Sequence, residues 1–209
     1  MEEGNKMIEK ICIYLTNKIR EKTPDMDDEK AEVVNFGLQL IVGEIPKIFL
    51  LILIAFLLGV GPLTLLAFIL ILPFKSASGG FHLKTHLGCI VGTILFYCGN
   101  VFISQNLVFE HIYLKYFFVL AVWIFGMAMC KKYAPADTEN VPILNKKDRH
   151  KKQMLSYITL SISLMVAVIV PNSTISNIII IGMLLQSLSI SKTAYRLTNN
   201  KYGYEVYGM

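Results

Sequence analysis

Apolar and polar positions fall along this chain in long blocks. Uncharged runs recur after Pro46, after Leu87, after Ile112, after Met154 and after Ser176, and the charges gather in the stretches between. Runs of that length and polarity read as membrane-crossing helices. Before them, Ile8, Ile11, Cys12, Leu15 and Ile19 recur at helical spacing with Glu9, Lys10, Lys18 and Arg20 between, which predicts an amphipathic helix on the membrane surface or against the cytoplasmic ends of other helices. Residues 1–30 form this helix and its linker. The interrupting charges also exclude a signal peptide, which needs a continuous apolar core.

Ala31 to Phe74 is too long for one span and is broken at Gly43-Glu-Ile-Pro46 and at Gly59-Val-Gly-Pro62. A hairpin fits it. Its second arm, Pro62 to Phe74, reaches about 20 Å at ~1.5 Å per residue against a hydrocarbon core of about 30 Å, so a short, re-entrant or intramembrane helix is expected. Glu44 is expected at the interface or turned inward. Four clear spans follow: Leu87 to Ser104, Ile112 to Cys130, Met154 to Val170 and Asn177 to Ser191. The expected fold is a single all-α polytopic membrane domain over 1–209, with about six hydrophobic segments and the N-terminal amphipathic helix.

Orientation follows from the basic residues. Gln105 to His111 carries no Lys or Arg, whereas Lys131 to Gln153 carries seven, and the tail carries Lys192, Arg196 and Lys201. Basic loops stay inside. Counting spans then puts the N-terminus, the 75–86 loop, the basic 131–153 loop and the tail on the cytoplasmic face.

Composition agrees: 54% of the 209 residues are hydrophobic and 17% charged. The net charge of +5 lies in short loops beside apolar segments, which argues against nucleic acid as a partner and for the lipid bilayer. Cys12, Cys89, Cys98 and Cys130 show no CxxC pair and no zinc spacing, so no disulfide framework, metal or cofactor is signalled.

One polar, glycine-rich stretch carries catalytic side-chain types: Lys75-Ser-Ala-Ser-Gly-Gly-Phe-His-Leu-Lys-Thr-His-Leu-Gly-Cys89. Gly79 and Gly80 admit unusual backbone conformations, His82 exchanges a proton near neutral pH, and Cys89 is a nucleophile once ionised. With a helix starting near Lys84 or Thr85, Cys89 lies about one turn in, where the helix N-terminus favours thiolate. On a continuous helix His82 and Cys89 would stand about 10 Å apart along the axis, so pairing requires His82 to lie on non-helical chain that folds back. His86, three residues before Cys89, is a rival on the helix itself, and spacing leaves the choice open. Gly79, Gly80 and the helix amides could donate to an oxyanion. The other three cysteines read as core residues.

These residues, together with Tyr133-Ala-Pro-Ala-Asp-Thr-Glu-Asn-Val-Pro142, the following basic run and the apolar layout, resemble the AgrB family, the membrane endopeptidases of Gram-positive peptide quorum sensing. The resemblance covers nearly the whole chain. It implies Cys89 as nucleophile, His82 as base, Lys75 as a substrate contact where relatives often carry Arg, and an AgrD-like propeptide with an acidic tail as substrate. The implied reaction removes that tail through an acyl-enzyme thioester and closes a thiolactone, in a multi-pass cell-membrane protein of a Gram-positive bacterium. A second copy of the chain, in a homodimer, is a further candidate partner. The competing class is a small peptide transporter or channel without covalent chemistry, suggested by Gln186, Ser187, Ser189 and Ser191 in the last span. Such residues also mediate helix contacts.

Overall fold

A computed structural model describes residues 2–23, 26–83, 85–139 and 141–207, without the side chains of residues 2–8, Leu40 and His86. Nine α-helices and a few isolated β-bridges, with no strand, make up the regular structure among the described residues. The chain is an all-α polytopic membrane protein. Among the described residues, five helices are long and apolar enough to cross a bilayer, and a sixth apolar helix is slightly shorter. By internal packing the chain divides into two compact units, Met1–Leu53 and Ile54–Met209.

In the first unit, α1 (Glu2–Lys22) ends in basic residues and α2 (Asp28–Leu57) begins with Asp28 and Glu29, each sign suited to its helix end. α1 is amphipathic, as its spacing requires. Cys12 and Thr16 are buried, while Ile11, Ile13 and Tyr14 are exposed. Thr16 Oγ1 donates to the Cys12 carbonyl at 2.8 Å, and Arg20 pairs with Asp28 at 2.7 Å. α2 runs unbroken through Pro46, so only the second of the two expected breaks is a turn. A proline removes a single backbone donor, and an ion pair between Glu44 and Lys47 bridges the site, giving Glu44 a neutralising partner inside the apolar run.

The second unit begins with a true helix stop. Gly59 takes φ +74°, the Val60 amide donates back to the Ala55 carbonyl, and Pro62 opens α3 (Gly61–Ser78). α3 extends past Pro73 and through Lys75, so its 18 residues reach about 27 Å. The arm is thus longer than Pro62 to Phe74, and Lys75–Ser78 belongs to the helix rather than to the following loop. The polar residues from Lys75 suggested an end at Phe74, but the positive-φ Gly79 ends the helix.

α4 (His86–Asn106), α5 (Ile112–Tyr133) and α6 (Lys146–Ile169) follow, then α7 (Ser173–Ser189) and two short tail helices, α8 (Lys192–Leu197) and α9 (Gly203–Tyr207). α7 packs against α3, α4, α5 and α6, and Ile178 to Met183 are buried almost all round. Close approach uses small residues. A Cβ at Gly182 would overlap Ile71, and one at Gly126 would overlap Leu160. Internal polar groups cross-link the bundle: Asn177 Nδ2 donates to the Ser104 and Leu107 carbonyls at the end of α4, and Asn100 Nδ2 to the Ile178 carbonyl. The outer face of α5, with Phe117, Leu120 and Ile124, is exposed and apolar, suited to lipid.

Candidate active site

Four segments meet at the end of α3. Gly79 has φ +75° and ψ −153°, and its N–H donates to the Lys75 carbonyl. The Gly80 N–H donates to the Ala136 carbonyl at 2.9 Å, and the Ala136 N–H donates to the Ser78 carbonyl at 2.7 Å. This bridge is so close that a Cβ on Gly79 would fall on the Ala136 carbonyl, with its carbon at 2.8 Å. From α7, Gln186 Nε2 donates to Ser78 Oγ at 3.0 Å and to the Gly79 carbonyl at 2.7 Å. Both glycine N–H groups are thus engaged by carbonyls. That arrangement does not fit the expectation that they serve an oxyanion; the glycines shape the chain instead.

The Ala134–Asp137 segment is held from its far side. Tyr195 Oη donates to the Ala136 carbonyl at 2.8 Å. The Asp137 carboxylate, its side chain 1% exposed, accepts from Arg149 at 2.8 Å and from the Ile143 amide at 2.9 Å. Arg149 also donates to the Pro135 carbonyl and lies over the Tyr204 ring. Both partners reach Oδ2, supplying the ion pair that a buried carboxylate requires, while Oδ1 is buried without a hydrogen-bond partner among the described residues. Tyr133, Tyr195, Tyr202 and Tyr204 stack beside it. Burial, then neighbouring negative groups, raises the Tyr195 and Tyr202 phenols, and Tyr204 is pushed up to about 12 by burial and Glu205.

Residues 81–83 are irregular, and Thr85 caps α4: its Oγ1 accepts from the Gly88 amide and its carbonyl from the Cys89 amide. The sequence-based start near Lys84 or Thr85 is therefore within two residues. The irregular segment folds back along α4. A Cβ at Gly92 would lie 3.0 Å from Leu83 Cδ1, and one at Gly88 would lie 3.6 Å from Leu83 Cβ. The two glycines, one turn apart, form a shallow seat for Leu83, which sets the neighbouring His82 off the helix. His82 is exposed and Cys89 half-buried in the first turns of α4. Lys75 is half-buried, its ammonium 5.2 Å from the Phe96 ring centroid and 5.5 Å from that of Tyr97. The His86 backbone opens α4, while its side chain lies outside the described residues.

Cys12, Cys98 and Cys130 are buried, so Cys89 is the accessible thiol among the four. Among the described residues no cluster of His, Cys, Asp and Glu could hold a metal ion. Sequence reasoning missed the supporting parts of the site. Gln186 read as a helix contact, and the 134–137 segment entered only as a motif. Its small residues, Ala134, Pro135 and Ala136, were the available signal for a close backbone approach.

Fold and site together define a polytopic helical membrane protein with a half-buried thiol at a helix N-terminus, nine residues after a pinned glycine turn. The family model described as Accessory gene regulator B matches residues 12–190, and the chain belongs to that family. Membership ties it to agr quorum sensing. A putative AgrB-like protein of Listeria innocua is 27% identical over 201 residues, covering 95% of this chain and 94% of the relative. One from Clostridium acetobutylicum is 23% identical, covering 97% and 94%. The accessory gene regulator protein B of Staphylococcus aureus is 27% identical over 183 residues, covering 85% and 94%. No solved structure matches.

Proposed function

We propose that the protein is a membrane cysteine endopeptidase that removes the acidic C-terminal tail of an AgrD-like propeptide and promotes closure of a thiolactone. The observation that carries this reading is the packing of Leu83 on Gly88 and Gly92 of α4, with the adjoining His82 on non-helical chain next to the helix that bears Cys89. Cys89 gives its proton to His82, and the thiolate attacks the carbonyl preceding the tail. Of the first amides of α4, those of Gly88 and Cys89 are taken by Thr85, and those of His86 and Leu87, which lack intrahelical acceptors by helix geometry, face the developing charge. Collapse releases the tail, whose amine takes the proton from His82. The signal segment is then a thioester on Cys89. Attack by the substrate's own thiol exchanges one thioester for another and releases a ring, whereas attack by water releases a linear acid. Excluding water favours the ring.

Lys75 lies one turn before Gly79 and supplies a positive charge at the site's edge. Basic residues at the end of α5 and the start of α6 suit the acidic tail. The N-terminus and the site face the cytoplasm in this reading, since every basic cluster then lies on one side. The buried polar residues of α7 bond within the bundle or to the glycine turn, which favours the peptidase over a transporter.

The test is cleavage of a propeptide in proteoliposomes by the wild type, Cys89→Ala, His82→Ala and His86→Ala, with mass spectrometry separating cyclic from linear product. Only the first two substitutions should abolish cleavage. Full cleavage without Cys89 would sink the mechanism, and loss with His86→Ala alone would move the base to that residue.

A further inference from the structure

The C-terminal tail begins where the family match ends, at residue 190, yet it returns to the site. Asn200 Nδ2 donates to the backbone carbonyl of His82 at 2.7 Å, 118 residues earlier in the chain. The tail that presents Asn200 is itself anchored. Asn199 takes φ +52°, turning the chain out of α8, and the Asn200 amide donates to the Tyr195 carbonyl at 2.9 Å. Asn200 Nδ2 is further placed by Thr198 Oγ1 at 2.8 Å. Tyr202 Oη donates to the Ile190 carbonyl and Tyr195 Oη to the Ala136 carbonyl, both at 2.8 Å. Ala136 is the residue that pins Gly80.

His82 therefore lies between fixed points: Gly80 held through Ala136 before it, Leu83 seated on Gly88 and Gly92 after it, and its own carbonyl held by the tail. Irregular chain of this kind has no ladder of its own to fix it, and general-base catalysis requires the imidazole within hydrogen-bond reach of the thiol. We propose that Asn200 is a positioning residue for the reaction, tethering the His82 backbone so that the imidazole stays aligned with Cys89. The role rests on the Cys89–His82 reading above. It acts through His82 and involves no contact with substrate.

Loss of one such bond corresponds to about a tenfold change in rate, or about 1.4 kcal/mol, within the ordinary range for a single hydrogen bond. That is far less than the roughly 10²- to 10⁴-fold expected from losing the base itself. The experiment uses the full chain in proteoliposomes with a synthetic AgrD-like propeptide, alongside alkylation of Cys89 by iodoacetamide at pH 7, followed by peptide mapping and requiring no substrate. Asn200→Ala and the isosteric Asn200→Asp, which lacks the amide donor, should lower kcat about tenfold with KM nearly unchanged. Both should slow Cys89 alkylation toward the His82→Ala rate. Asn200→Gln, which keeps the donor, should recover part of both, and Glu205→Gln, on the exposed side of the tail, should match the wild type.

Wild-type kcat and alkylation in Asn200→Ala, with both lost in His82→Ala, would overturn the tether and leave the dyad standing. A change in KM alone would also overturn it. Wild-type alkylation and cleavage in His82→Ala would remove the dyad and the tether with it. Failure of both Asn200→Ala and Asn200→Asp to fold would make the residue a folding determinant and overturn the positioning role.

Discussion

Replacing Gly79 by alanine tests how firmly the site is built around the α3 terminus. The residue sits at φ +75° and ψ −153°, a region that only glycine occupies freely, and forcing another residue there costs about 1–3 kcal/mol. The added methyl would also fall on the Ala136 carbonyl, a backbone group that no rotamer change can move. Separating the strands of this bridge breaks the Gly80-to-Ala136 and Ala136-to-Ser78 hydrogen bonds, at about 0.5–1.5 kcal/mol each. The sum is about 2–6 kcal/mol, concentrated three residues before His82. If it is expressed as displacement of the catalytic segment, cleavage falls at least about 30-fold. If it is expressed globally, the melting temperature in detergent falls. The assay measures both, by mass spectrometry of propeptide cleavage and by thermal unfolding, with Gly99→Ala as control because no atom lies within 4 Å of a Cβ there. Gly80→Ala should be milder, since its nearest obstacle is the movable Ser189 hydroxyl at 3.2 Å. Gly79→Ala with cleavage and melting both indistinguishable from Gly99→Ala would refute the reasoning.

Other perturbations separate the supports of the site. Arg149→Leu strands the buried Asp137 carboxylate and should cost about 3–5 kcal/mol, read as a large fall in melting temperature; Arg149→Lys should retain part, because it loses the fork that also reaches Pro135. Gln186→Leu leaves Ser78 Oγ and the Gly79 carbonyl without their donor inside the bundle and should cost about 1–3 kcal/mol, with cleavage falling in parallel. The tyrosine cluster predicts alkaline sensitivity. A phenol raised from about 10 when unfolded to about 12 when folded, as Tyr204 is by burial, stabilises the fold fully below pH 10 and loses that contribution as pH rises toward 12. Tyr195 and Tyr202 act in the same sense. Tyrosinate absorbance should show a late-titrating group that shrinks in Tyr204→Phe; titration of all the tyrosines together near pH 10 would contradict the burial.

The bundle was legible because lipid imposes a coarse rule. Long uncharged runs must become helices there, so α4, α5 and α7 lie close to where composition put them, while α6 starts at Lys146, within the 131–153 stretch expected as a loop. The N-terminal amphipathic helix was legible for a related reason, its 3.6-residue period. Single breakers were not. Pro46 read as a break and Phe74 as an end, yet Pro46 and Pro73 each remove one hydrogen bond from a helix whose neighbours in sequence continue it, whereas Gly59 and Gly79 stop helices by adopting positive φ.

The candidate chemistry was also legible, since Cys89, His82 and the glycine pair are close in sequence and a cap at Thr85 follows from local residues. What only the tertiary structure decided is the scaffold around them. Ala136, Gln186 and Asn200 reach the Ser78–His82 segment from 56 or more residues away, and Tyr195 holds Ala136 in turn, through backbone carbonyls that every residue type possesses. A bond to a carbonyl leaves no trace in the identity of the residue that accepts it. Periodicity and spacing report the faces of helices, while the packing of distant segments onto one irregular turn is settled only when the helices have been placed.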